Sequence, residues 1–165
     1  MKPGRILLWV GGLVVIGLVL AVAIIGPSDF FLPEQSTDVD EASPNGDVKV
    51  LKRGSFVGTA GHEVSGTVHL LQDDDGLFLR FEAYQQTQGP DVFVYVTPSS
   101  TPDTRAEIAA GTKVLIDGGA DSGESTKEGN FTQRLPEGVS ADDISGVGIW
   151  CEQFATPFGY ADLSS

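Results

Sequence analysis

Apolar residues are distributed along the chain in two different patterns. Ile6 to Ile25 is a run of 20 residues without a charge, and fourteen of them are Ile, Leu or Val. A helix rising about 1.5 Å per residue over that length spans roughly 30 Å, the thickness of a bilayer's hydrocarbon core. Those fourteen side chains supply on the order of −4 to −8 kcal/mol toward insertion, less the cost of the glycines. From about Asp47 the pattern changes to period two, the mark of half-buried strands. His62, Val64, Gly66, Val68 and Leu70 fall on one face of a segment, and Ser65, Thr67, His69 and Leu71 on the other. Asp73-Asp74-Asp75-Gly76 has turn chemistry and leads into a second alternating segment. There Leu77, Leu79, Phe81 and Ala83 share one face, and Phe78, Arg80, Glu82 and Tyr84 the other. Segments 92–96, 112–116, 131–135 and 147–154 complete the predicted strands. No long amphipathic helix is predicted after residue 26. The expected fold class is all-β, an antiparallel β-sandwich ectodomain following one N-terminal transmembrane helix.

The domain plan is then a cytoplasmic stub at residues 1–5, a transmembrane helix (signal anchor) at 6–25, an acidic linker at 26–46 and a β-domain at 47–165. Residues 27–46 hold two prolines beyond Pro27, several Ser/Thr and five acids, too little apolar surface to offset ordering entropy. Lys2 and Arg5 precede the apolar run, and Asp29 and Glu34 follow it. The positive-inside tendency therefore puts the N-terminus in the cytoplasm and the domain outside it, with membrane lipid the partner of residues 6–25. Ala21-Val22-Ala23 also has the small-x-small form of a signal-peptide cleavage site, which leaves the domain on the same side.

Charge narrows the partners. Eight Lys/Arg follow the apolar run, against 23 Asp/Glu. A domain that acidic repels nucleic acid and anionic lipid. Cys151 is the single cysteine and Met1 the single methionine, so the chain can form no internal disulfide and offers no thioether ligand beyond its first residue. No Cys-x-x-Cys-His, P-loop, dinucleotide fingerprint or zinc spacing is present. The Asp73–Asp75 run lacks EF-hand spacing, because Leu stands at 71. It reads as a solvated hairpin turn, and the Asp117–Glu128 segment as a flexible acidic loop. Asn130-Phe131-Thr132 fits a glycosylation acceptor pattern.

Several motifs then stand in order: Gly54-Ser55-Phe56-Val57-Gly58, His62-Glu63-Val64-Ser65-Gly66-Thr67-Val68, Gly89-Pro90-Asp91-Val92-Phe93-Val94-Tyr95-Val96, and Val147-Gly148-Ile149-Trp150-Cys151-Glu152-Gln153-Phe154, with Phe158-Gly159 after them. The set resembles the DM-thirteen domain, often labelled an electron-transfer domain, over roughly residues 52–163. The resemblance implies a β-sandwich related to the cytochrome-like DOMON domains. It also implies a redox role centred on a cysteine, here Cys151. The loop at Asp117–Glu128 departs from the family pattern in its length.

Cys151 shares a strand face with Val147 and Ile149, which predicts a buried thiol. Its acidic surroundings favour the protonated form. It reads as a packed small hydrophobe or as a redox or ligand group. His62 is the second candidate, a structural histidine or a partner opposite Cys151. An imidazole and a thiolate could hold haem iron or a transition metal, so the cofactor stays open among haem, a metal and none. His69, seven residues on, falls on the other strand face about 23 Å away and cannot clamp the same ion. Trp150 and Phe154 are weaker candidates for an apolar wall beside a planar cofactor, with Phe158 near them. The functional expectation is a membrane-anchored extracytoplasmic redox or electron-transfer module with an unnamed redox or protein partner. The alternative is a non-catalytic binding domain.

Overall fold

The computed structural model describes residues 46–165. The stub, the transmembrane run and nearly all of the linker lie outside the described residues. Among the described residues, no helix is long and apolar enough to cross a membrane.

Eight strands form the domain: β1 (Lys49–Gly58), β2 (Val64–Asp73), β3 (Gly76–Gln86), β4 (Val92–Thr97), β5 (Thr112–Val114), β6 (Gly129–Arg134), β7 (Gly146–Cys151) and β8 (Thr156–Asp162). One five-residue helix, α1 (Arg105–Ala109), lies between β4 and β5. Every pairing is antiparallel, in the order β5-β4-β7-β8-β1-β2-β3-β6. The all-β expectation holds.

The sheet curls because β1 serves both halves. Its first part pairs with β2 up to Ser55, and Phe56–Gly58 pair with β8. Gly54 stands at this crossing, where an added Cβ would lie 2.3 Å from the Asp162 carbonyl oxygen. The two halves enclose one core, as the layers of a sandwich do. It includes Val68, Leu70, Leu79 and Phe81 from one side, and Val94, Val147, Ile149 and Cys151 from the other.

The alternation read in β2 survives: Val64, Val68 and Leu70 are buried. In β3 it fails at the end. Ala83 is expected on the face of Leu79 and Phe81, and Tyr84 on the face of Arg80 and Glu82, but Ala83 is exposed while Tyr84 is fully buried like Leu79 and Phe81. A bulge is the cause. The register of β3 slips against both β2 and β6 here, so the residues after Phe81 change face. Ala83 takes φ +48° and Gly66, across from it, φ +102°. A Cβ at Gly66 would lie 2.8 Å from the carbonyl oxygens of Glu82 and Ala83. The Ala83 N–H, lost to the ladder, donates to Asn130 Oδ1 at 2.7 Å. Tyr84 thereby joins Phe56, Phe81 and Phe131 in an aromatic core. Its hydroxyl donates to Gln86 Oε1 at 2.6 Å, and burial pushes the phenol well above its ordinary pKa.

The aspartate turn also departs from expectation. Asp74 and Asp75 make the hairpin turn between β2 and β3, but Asp73 is not solvated. Its side chain is 0 % exposed and receives two hydrogen bonds from the Arg134 guanidinium, each 2.6 Å. The last predicted strand, 147–154, is too long. β7 ends at Cys151, residues 152–155 turn with Ala155 at φ +50°, and β8 begins at Thr156.

Candidate functional site

Cys151 closes β7, paired with Val92 of β4 on one side and Thr156 of β8 on the other. It is 0 % exposed and packs in the core that also holds Val147 and Ile149, as its strand phase predicts. Its Sγ–H donates to the Pro90 carbonyl oxygen at 3.1 Å. That carbonyl belongs to the turn Gly89-Pro90-Asp91. Asp91 takes φ +51° there, a conformation Asp tolerates better than most side chains. The segment expected to be a flexible loop pins the turn. Asp121 Oδ2 accepts from the Asp91 N–H at 3.0 Å, and the Thr126 N–H donates to the Val92 carbonyl at 2.9 Å.

Phe158 joins this group to His62. A Cβ built on Gly89 would lie 2.7 Å from the Phe158 ring, so ring and turn are in close contact. On the same ring lies the imidazole of His62, stacked at 3.8 Å between centroids and 12° between planes. His62 is half-buried and precedes β2 rather than lying on it; its backbone N–H donates to the Thr59 carbonyl at 2.9 Å. The two candidates thus meet one neighbourhood through Phe158 and the Gly89–Asp91 turn. The polar partner of the Cys151 thiol is a backbone carbonyl, not the imidazole.

Trp150 and Phe154 are not brought to Cys151. Neighbours on a strand point to opposite faces, so Trp150 lies on the outer side, with Phe93, Tyr95 and Ile108. Phe154 sits in the turn beyond the strand end and is 65 % exposed. Of the three aromatics read as a wall, Phe158 alone belongs to the group.

These residues do not fit a haem or a transition metal as they stand. The thiol is sealed and hydrogen-bonded, and one face of the imidazole is covered by Phe158. No group of three or more His, Cys, Asp or Glu that could hold a metal occurs among the described residues. Three surface clefts of about 500, 450 and 300 Å³ are lined by other residues, and neither Cys151 nor His62 borders them. In native protein a maleimide should label Cys151 at least about 100-fold more slowly than in denaturant, since reaction requires local opening. Equal rates in the two conditions would overturn this burial.

Sequence reasoning missed Pro90 as the thiol's acceptor and the outward group formed by Tyr95, Lys113 and Glu152. Tyr95 Oη donates to Glu152 Oε1, and Lys113 Nζ lies 3.0 Å from the same oxygen. Both Tyr95 and Glu152 stand in the ordered motifs, but strand register alone reveals that they meet.

Searches among curated proteins and among solved structures find no match. Residues 55–163 match the family described as Electron transfer DM13. The match runs from the second half of β1 through β8 and includes Cys151, the Gly89–Asp91 turn and His62. The chain belongs to the Electron transfer DM13 family.

Proposed function

We propose that the chain is a membrane-anchored extracytoplasmic electron-transfer module whose redox centre is Cys151. The observation that carries this reading is the placement of the chain's one thiol. In a domain of an electron-transfer family, it is buried and hydrogen-bonded to the turn that also contacts Phe158, on which His62 stacks. The anchoring rests on the uncharged run 6–25 with Lys2 and Arg5 before it. The electron acceptor is a one-electron carrier in the same compartment. When Cys151 gives up an electron, its S–H bond breaks and the proton passes to bulk water as the Gly89–Asp91 turn opens locally. The sulfur is left as a neutral radical, which regains one electron and one proton on reduction. No bound metal enters this step. The alternative, a binding domain with a structural thiol, is favoured by the complete packing of Cys151.

The deciding experiment is a redox titration of full-length protein purified from its membrane. A couple that Cys151→Ser abolishes, in a variant that melts within a few degrees of wild type, is the expected result. An unchanged couple in Cys151→Ser sinks the thiol reading, and the absence of any couple in the wild type leaves the binding domain. Membrane fractionation and protease shaving of intact cells test the anchor, and a mature N-terminus at Ile24 would refute it.

A further inference from the structure

The outer face of the β4–β7 layer carries chemistry of its own. Phe93, Tyr95, Ile108 and Trp150 form a cluster separate from the main core. Tyr95 is 9 % exposed. Its hydroxyl donates to Glu152 Oε1, at the start of the turn after β7. Lys113, opposite Tyr95 on β5, places its ammonium 3.0 Å from that oxygen and 3.3 Å from the Phe93 ring centroid. The Glu152 side chain keeps 42 % of its surface in water. The result is a largely buried tyrosine whose hydroxyl is bonded directly to a wet carboxylate.

That division suits one kind of chemistry. A phenol that loses an electron becomes a strong acid, so its oxidation is eased when a base already holds its proton. Burial, and then the hydrogen bond to Glu152, push the Tyr95 phenol well above its ordinary pKa, so it does not ionise first. The hydrogen bond from Tyr95, and then Lys113, hold the Glu152 carboxyl below its ordinary pKa, so the base is ionised. Electron and proton are therefore set to leave together, in different directions.

The geometry points to Tyr95 as a redox-active tyrosine that exchanges one electron with a high-potential one-electron partner while its proton moves to Glu152 and back. On oxidation the Tyr95 O–H bond breaks and an O–H bond forms at Glu152 Oε1. One electron passes to the oxidant, leaving a neutral phenoxyl radical and a neutral carboxylic acid. Reduction reverses both transfers. Lys113 is a positioning residue that holds the carboxylate on the phenol. The inference rests on the electron-transfer reading but does not require Cys151, which points into the core from the other side of the sheet.

The same three side chains could serve only to tie β5 to its neighbours, so the test must read the radical itself. Full-length protein is oxidised with photogenerated ruthenium(III) tris-bipyridine, and the tyrosyl radical is followed by absorption and electron paramagnetic resonance. Wild type should give the radical with a solvent deuterium isotope effect on its formation. With the half-exposed Tyr160 replaced by Phe in both proteins, Tyr95→Phe should lose most of the signal, because Tyr84 is sealed in the core. Glu152→Gln should slow formation by about tenfold or more and shrink the isotope effect. Tryptophan fluorescence and melting temperature check that both variants fold. A Tyr95→Phe signal equal to wild type, or a Glu152→Gln rate equal to wild type, would overturn the inference. Cys151→Ser separates the two readings. If it abolishes the titrated couple while Tyr95→Phe leaves the radical unchanged, the inference fails and the thiol reading stands. If Tyr95 forms the radical while Cys151→Ser titrates as wild type, the inference stands and the thiol reading falls.

Discussion

Phe81→Ala is expected to destabilise the domain by about 4 kcal/mol, the largest single effect foreseen here. Phe81 is 0 % exposed. It stacks on Phe131 at 4.4 Å and on Phe56 at 5.9 Å, and meets Tyr84 edge-on at 5.4 Å. Truncation removes the transfer energy of the ring and leaves a cavity that three other rings cannot close without losing their own contacts. A domain of this size has only about 5–15 kcal/mol to lose. Denaturant unfolding of the full-length protein reads the effect, with exposed Leu115→Ala as a control expected within about 0.5 kcal/mol of wild type. A loss below about 1 kcal/mol for Phe81→Ala would mean that the core re-forms around the gap.

Arg134→Ala should cost about 3 kcal/mol, because it strips a fully buried carboxylate of its two-pronged partner. The guanidinium holds both Asp73 oxygens and lies 4.8 Å from the Phe78 ring centroid. Through this pair, β6 ties itself to the hairpin end of β2–β3. The double variant Asp73→Leu with Arg134→Leu should lose clearly less than the two single leucine variants added together, because no charge is then left buried alone. Simple additivity of the singles would show that the two side chains contribute independently. Equilibrium unfolding of the four proteins completes the cycle.

Period-two alternation was enough to find β2 and the inward phase of Cys151, because both lie on regular strands with one face in the core. It misassigned Tyr84, because a bulge inserts a residue without altering composition. The legible trace was Gly66, a glycine inside a strand pattern, and its meaning depends on what lies opposite. β1 escaped because Lys49 to Ser55 show no clean alternation; this strand is exposed or half-exposed at every position but Phe56. The turn at 152–155 was absorbed into one long strand because Phe154 looked like a core residue. Of the candidate site, Cys151 and His62 were legible as residues, but not the way they meet. Phe158 and the Pro90 carbonyl link them through strand pairings that span much of the chain. Asp73–Arg134 and Tyr95–Glu152 were hidden for the same reason, since register and not spacing brings each pair together.

The division of β1 between β2 and β8 bears on how the protein matures during synthesis. A nascent chain can zip β1, β2 and β3 together early, from neighbouring segments. Phe56–Gly58, however, must wait for Tyr160 and its neighbours in β8, the last of these eight strands in chain order. Until then the aromatic core is open along the β1–β8 seam, and Val57 and Phe56 border an unpaired edge. The strands that close last are also the most distant in sequence, which slows folding and lengthens exposure to aggregation. A chain truncated within β8 would thus lose the pairing of the second half of β1 as well, and should be cleared by quality-control proteases rather than accumulate as a slightly shortened domain.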